Sequence, residues 1–296
     1  MGRSGVKDKH GKQRRKHGRN VSKRRKSVVD NTPKYTARSA DKHVLYQLAV
    51  QSPETDVEFL TRVYGEVRGK KARHFREDFC GTAILSAEWV KQGNEFTAEG
   101  FDLCPETLAW GVEHNLEPLG DDAARVRLHE EDVRTDGERG ADVRCAQNFS
   151  YQVFQEREEL VGYLRHCRED LAEDGIFVLD LYGGPESLQE MEEERDVDGE
   201  FTYVWDQDEY WPGTGEYLCK IHFRFNDGSE MTDAFVYHWR MWSLTELKDA
   251  LKEAGFADVH AYFEGTDDDG EGDGEFSRGV RGENCEAWIA YLVAVK

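Results

Sequence analysis

Apolar positions recur along most of the chain with the period of a helix or of a strand, and the two periods alternate. Residues 40–67 carry Val57, Leu60, Val63 and Tyr64 at helical spacing and are interrupted at Ser52–Pro53, which predicts two short helices. Strands and helices then follow in turn. Strands are predicted at 72–78, 95–103, 124–132 and 141–149, with helices at 83–92, ended by Gly93, and at 105–116, opened by Pro105. Leu160, Tyr163, Leu164, Cys167 and Leu171 form one apolar face of a helix, and Ile176–Tyr182, almost wholly apolar, reads as a fifth strand covered on both sides. The first strand fits less well, because His74 and Arg76 interrupt it.

From Phe201 the period becomes two. Tyr217, Cys219, Ile221, Phe223 and Phe225 alternate up to the turn Asn226–Ser229, and Phe235, Tyr237, Trp239 and Met241 resume the alternation beyond it. This predicts a hairpin inserted after the fifth strand. A helix with a Ser243–Glu246 capping box follows, then strands at 259–263 and 286–295 joined by the acidic stretch 264–275, which is expected to be a solvated loop. Alternating strands and helices imply parallel pairing in a doubly wound sheet.

Charge divides the chain in two. Residues 1–43 hold 15 Lys and Arg against 3 Asp and Glu, +12; the remaining 24 against 57 give −33, for the total of −21 over 296 residues. An acidic body repels phosphate backbones and argues against a nucleic-acid-binding fold as such. The basic segment has too few apolar residues to fold alone, and disorder is expected. Its charge is matched either by the acidic body itself or by a nucleic acid, and its Lys/Arg run also has the composition of a nuclear address. No apolar run reaches membrane-spanning length and no secretory signal is legible, so a cytoplasmic location is expected, or a nuclear one in a eukaryotic cell. Six cysteines without a C-x-x-C pair read as reduced thiols, and no metal site is indicated.

Ligands of a doubly wound sheet sit beyond the carboxyl ends of its strands, where the strand order reverses. The loop there, Asp78–Ala83, lacks the three glycines a pyrophosphate needs. One glycine, Gly81, beside the small residues Cys80, Thr82 and Ala83, suffices for close approach to a ligand without phosphates. Asp102 ends the second strand, where an acid meets ribose hydroxyls. These features point to a ribose-bearing ligand without a pyrophosphate.

The set EDFCGTA (77–83), GFDLCPETLAWG (100–111), EEDVRT (130–135), CAQNFSY (145–151) and IFVLDLYGG (176–184), in this order, resembles motifs one to five of class I S-adenosylmethionine-dependent methyltransferases. The match is nearest to a subgroup whose first motif reads REDFCGTA, and it runs from Tyr46 to Lys296. The resemblance implies a Rossmann-like methyltransferase sheet of seven strands with an antiparallel last strand. Residues 44–296 would form the domain and about 200–242 its β-hairpin cap. It implies S-adenosylmethionine as cofactor, with Glu77 near the methionine amino group and Phe79, Gly81 and Ala83 at the glycine positions. Asp102 with Leu103 would meet the ribose, Asp132 with Val133 the adenine, and Asn148 with Phe149 the methyl group.

Asn148–Tyr151 has the spacing of the N-P-P-Y motif of nitrogen methyltransferases but neither proline, so lining the cofactor pocket is the reading preferred. Substrate contacts are sought in Tyr151, Tyr182, Tyr210, His238 and Arg240. Of the aromatic residues in and near the insertion, including Trp211, Tyr237, Trp239 and Trp242, some must be core and others are available as an aromatic wall. The activity implied is methyl transfer to an N or O nucleophile of a small molecule. The alternatives are an RNA or protein substrate docked by the tail, or a scaffold without catalysis; oligomeric state is left open.

Overall fold

Two sheets form in the computed structural model of the chain, which describes residues 34–266 and 272–296. Helices α1 (Lys42–Val50) and α2 (Pro53–Arg68) come first, divided where Pro53 opens α2. Strands β1 (His74–Asp78), β2 (Thr97–Asp102), β3 (Val126–Glu130), β4 (Ala141–Ala146) and β5 (Leu171–Gly183) are interleaved with α3 (Ile84–Val90), α4 (Pro105–Gly111) and α5 (Arg157–Asp170). After β5 come β6 (Met191–Val197), β7 (Phe201–Trp211), β8 (Glu216–Phe225) and β9 (Glu230–Arg240). The chain then makes α6 (Leu244–Glu253), β10 (Asp258–Thr266), β11 (Gly272–Gly279) and β12 (Trp288–Val295).

The large sheet has the order β11-β10-β12-β5-β4-β1-β2-β3. Strands β1 to β5 pair in parallel, β12 is antiparallel to β5, and the order reverses between β1 and β4. Leu60 and Val63 of α2 and Leu85 and Trp89 of α3 cover one face; Leu160 and Leu164 of α5 and Leu247 and Leu251 of α6 cover the other. Among the described residues no helix is long and apolar enough to cross a membrane.

Three features differ from the reading of periodicity. The large sheet has eight strands, because Gly272–Gly279, expected to belong to a solvated loop and its flank, pairs with the free edge of β10. Phe276 is its one apolar side chain, packed against Phe59 and Tyr291 at ring-centroid distances of 5.6 and 4.6 Å, so no alternation was there to be seen. The cap is a four-stranded antiparallel sheet, β6 to β9, and begins at Met191. Its first strand, MEEERDV, is charged from Glu192 to Asp196 and shows no apolar period, yet it pairs with β7 over its whole length. Part of the basic segment also belongs to the packed chain. Tyr35, Ala37 and Ala40 pack against a cluster of α1 and the cap that contains Leu45, Phe201 and Phe223. The expectation of disorder for residues 1–33 lies outside the described residues.

Strand β1 is buried at every position in spite of its charges. His74 bridges Thr97 and Glu99 at 2.9 and 2.8 Å. Burial would raise the Glu99 carboxyl, but hydrogen bonds from His74 and the Glu138 amide outweigh it and hold the group at about 2. Asp78 accepts from Arg76 Nε at 2.9 Å, from Arg144 Nε at 2.7 Å and from the Tyr163 hydroxyl at 2.7 Å. The same two arginines donate to Asp170 at 2.9 and 3.2 Å and both reach the Val133 carbonyl, at 2.8 and 2.6 Å. Removing one partner leaves buried charge uncompensated. Arg144→Met is therefore expected to destabilise the protein by about 3–5 kcal/mol, read from denaturant unfolding; a loss below about 1 kcal/mol would show that the network is not integral to the fold.

Candidate functional site

The reversal of strand order places the β1–α3 loop beside the end of β4. Along that loop Phe79, Gly81 and Ala83 have φ of 56°, 51° and 54°. All three positions where the resembling motif has glycine thus keep glycine's left-handed backbone, and Phe and Ala hold it at a cost of roughly 1–2 kcal/mol each. The loop is tied down from three sides. The Gly81 amide donates to Asp102 Oδ2 at 2.8 Å, while Asp102 Oδ1 accepts from the Cys104 amide at 2.9 Å. Gln47 of α1 donates to Thr82 Oγ1 at 2.8 Å, and Asn115 donates to the Thr82 carbonyl at 2.8 Å. Gly111 of α4 lies so close to Thr82 that any Cβ there would collide with its backbone. Cys80 and Ala83 pack inward with Leu108, and Phe79 meets Phe154 and Tyr163 at about 6 Å between ring centroids.

A cleft of about 410 Å³ opens beyond this loop and brings together five of the residues singled out from sequence: Phe79, Asp102, Leu103, Asp132 and Val133. Leu103 is 68% exposed, an apolar side chain presented at the rim beside the Asp102 carboxylate. Asp132 is chelated by Arg134, whose amide, Nε and Nη2 donate to it at 2.8, 2.8 and 2.6 Å, and this lowers its carboxyl. Arg134, Val153, Phe154 and Glu159 complete the wall. These four were missed, since they come from a connection, a one-turn helix and the exposed side of α5, where no periodicity marks them. Carboxylate and apolar slot together match a nucleoside. Cys80, Thr82 and Ala83 shape the loop from behind and do not line the cleft. Glu77 is buried beneath it, accepting from the Ser86 amide at 2.9 Å and hydroxyl at 2.6 Å, and burial pushes its carboxyl up to about 8.

After β4 the chain makes a second strained turn. Asn148 and Phe149 have φ of 55° and 59°, and both amides donate to the Asp180 carboxylate, at 2.7 and 2.9 Å. Burial raises Asp180 to about 7. The turn lines a second cavity, of about 270 Å³, under the cap. Tyr182 lines it from the end of β5, and Tyr203, Trp205, Gln207, Ile221, Tyr237 and Trp239 from the cap. Tyr46 and Val50 of α1 and Trp288 and Ile289 of β12 close it.

The other substrate candidates lie elsewhere. Tyr151 is fully buried in the core, with its hydroxyl unpartnered. His238 and Arg240 share β9 with Tyr237 and Trp239 but, by the period of two, point to its opposite face; Arg240 stacks on Trp242 at 3.8 Å and donates to the Gln155 carbonyl at 2.8 Å. Tyr210 pairs with Tyr217 near the end of β7 and is not part of the cavity wall. Tyr203 and Trp205, missed from sequence, continue the alternation Phe201, Tyr203, Trp205, Gln207, which was the available signal. Tyr46 carries none.

Strand order, the single reversed strand β12 within the core of the sheet, and a nucleoside-sized cleft at the point of reversal are those of the class I S-adenosylmethionine-dependent methyltransferase fold. Solved structures agree. An S-adenosylmethionine-dependent methyltransferase from Clostridium acetobutylicum superposes with a TM-score of 0.62 at 17% identity, covering 84% of this chain and 96% of its own. The amino pentose methyltransferase CalS10 from Micromonospora echinaspora gives 0.62 at 19%, over 86% and 95%. The sugar N-methyltransferase KedS8 from a Streptoalloteichus species gives 0.58 at 19%, over 94% and 99%. No protein-family model matches the chain, and no curated protein matches it by sequence.

Two outcomes follow from this geometry. Ala83→Gly is expected to change stability by less than about 1 kcal/mol, since the left-handed strain it removes, roughly 1–2 kcal/mol, is offset by the loss of the buried Ala83 methyl from its packing with Cys80 and Leu108 and by a freer unfolded chain; a loss above about 2 kcal/mol in denaturant titration would show that the backbone there is not strained. Asp56 at about 6, Asp180 at about 7 and Glu77 at about 8 are all raised by burial. Each holds its proton more tightly in the folded than in the unfolded chain, so the stability it confers is complete below the ordinary carboxylate range and is lost as pH rises through 6 to 8. Thermal melts should fall from pH 5 to pH 8.5, and Glu77→Gln, which cannot ionise, should melt higher than the parent at pH 8.5 and alike at pH 5. A parallel fall in both proteins would remove Glu77 as a cause.

Proposed function

We propose that the chain is an S-adenosylmethionine-dependent methyltransferase of the REDFCGTA subgroup, acting on a nitrogen of a small molecule held in the cavity under the cap. The observation that carries this reading is that one short segment lines both spaces. Asn148 and Phe149 face the aromatic cavity, while Val153 and Phe154 face the nucleoside cleft. A donor in the cleft and an acceptor in the cavity would thus meet across a single turn. CalS10 is described as an amino pentose methyltransferase, KedS8 as a sugar N-methyltransferase and MtfA, solved with S-adenosylmethionine and with S-adenosylhomocysteine, as a glycopeptide N-methyltransferase, which favours nitrogen and a small or sugar-like acceptor.

When bound, the cofactor supplies a methyl group already activated by its positive sulfur. Asp102 would accept from the ribose hydroxyls, Leu103 and Val133 would flank the adenine, and the Phe79–Ala83 loop would carry the methionine end above Glu77. Held by these residues, the donor would supply its methyl group to an acceptor nitrogen in the neighbouring cavity, and the nitrogen would have to be unprotonated to take it. The chain's contribution is alignment and exclusion of water, which the aromatic walls provide.

Calorimetry tests the reading. The full chain should bind S-adenosylmethionine or S-adenosylhomocysteine and not NAD, and Asp102→Ala should weaken that binding by about 1.5–3 kcal/mol, the range for a hydrogen bond to a charged group. Circular dichroism of the variant guards against loss of the loop that Asp102 also holds. Tight NAD binding without a response to the methyl donor would end the proposal.

A further inference from the structure

The walls of the cavity under the cap define what it accepts more narrowly than a nitrogen nucleophile. Its rings form a continuous series that starts at the methyl-facing turn. Phe149 meets Tyr182 at 4.8 Å, Tyr182 meets Trp205 at 6.5 Å, and Trp205 meets both Tyr237 and Trp239 at 6.2 Å, those two being stacked at 4.3 Å. The only charged residues among the described lining are the carboxylates Glu186 and Glu193; no Lys, Arg or His is among them. A space walled by aromatic faces attracts a cation through the ring quadrupoles, most strongly where water is excluded, and carboxylates at its margin add to that field. An anionic acceptor would meet repulsion and no compensating donor of positive charge.

We infer that this cavity is a recognition site for organic ammonium ions: the acceptor enters as a protonated or already N-methylated amine carrying no phosphate or carboxylate, and methylated ammonium products are held there in turn. The inference rests on reading the cavity as the acceptor site of the proposed transferase. It also accounts for the wall itself. Neutral sugar hydroxyls would call for uncommitted hydrogen-bonding side chains, yet aromatic faces make up much of the wall, and Gln207 is committed to the Tyr182 hydroxyl and to the carbonyls of Glu186 and Gln189. An ammonium carried in by the rings must shed its proton before transfer, so the same wall that gives affinity also sets a requirement for rising pH in turnover.

The test uses the full chain saturated with S-adenosylhomocysteine and two probes of one shape, choline and its uncharged isostere 3,3-dimethyl-1-butanol, with binding followed by calorimetry and by the fluorescence of Trp205 and Trp239. Choline is expected to bind about tenfold or more tightly than the isostere, and Trp205→Leu should remove most of that difference while S-adenosylhomocysteine affinity stays as in the parent. Glu193→Gln should lower choline affinity a few-fold and leave the isostere unchanged, a selectivity that loss of packing would not produce. Equal affinity for the two probes, or binding of neither, overturns the ammonium inference. If S-adenosylhomocysteine still binds in that case, the transferase reading stands without it; if S-adenosylhomocysteine fails to bind at all, the two fall together.

Discussion

The buried carboxylate of Asp78 is the constraint on which the rest of the architecture depends. It lies in the strand next to the reversal of the sheet, and three donors from three elements converge on it: Arg76 of β1, Arg144 of β4 and Tyr163 of α5. Burying such a group is unfavourable unless its partners are placed with good geometry, so once it is buried the relative position of those elements is determined. The arginines extend that determination. Both hold the Val133 carbonyl, in the wall of the cleft beyond the β1–α3 loop, and Arg76 lies 3.7 Å above the Phe101 ring, which stacks on His129 at 4.3 Å.

Two strained turns flank this centre, and each is held by an acid. Asp102 holds the amide of Gly81 in the loop of β1; Asp180 holds those of Asn148 and Phe149 in the loop of β4. Left-handed backbone at Phe79, Ala83, Asn148 and Phe149 persists because the surroundings over-determine it. Strain of this kind gathers where a ligand must be met by backbone. Both turns open onto cavities, the first through Phe79 and the second through Asn148 and Phe149.

The cavity under the cap draws its walls from α1, the end of β5, the cap and β12. Helix α1 couples these parts. It packs Leu45 and Ala49 into the cap, sends Gln47 to Thr82 of the first loop, and is capped by Asp41, which also accepts from the Trp110 indole at 2.9 Å. The segment that begins at Tyr35 therefore belongs to the site's scaffold, although its charge groups it with the basic stretch before it.

Local order was legible in the residues themselves. Most helices and strands of the large sheet follow from apolar spacing, and the five residues that share the cleft beyond the β1–α3 loop, Phe79, Asp102, Leu103, Asp132 and Val133, from the resemblance and from the position of an acid after a strand. Strand β1 looked doubtful because charge in a strand reads as exposure, and only the fold supplies the opposite charges that reverse this. Strands β6 and β11 escaped notice because their pairing depends on backbone hydrogen bonds to a neighbour's free edge, which need no apolar period. The sequence by itself thus determined most of the elements, their order and the acid that ends β2. The tertiary structure decided which aromatic residues share a cavity, why His238 and Arg240 do not, and how charge is buried beneath the cleft, because these depend on which face of a strand meets a partner from far along the chain, and no local pattern records that partner.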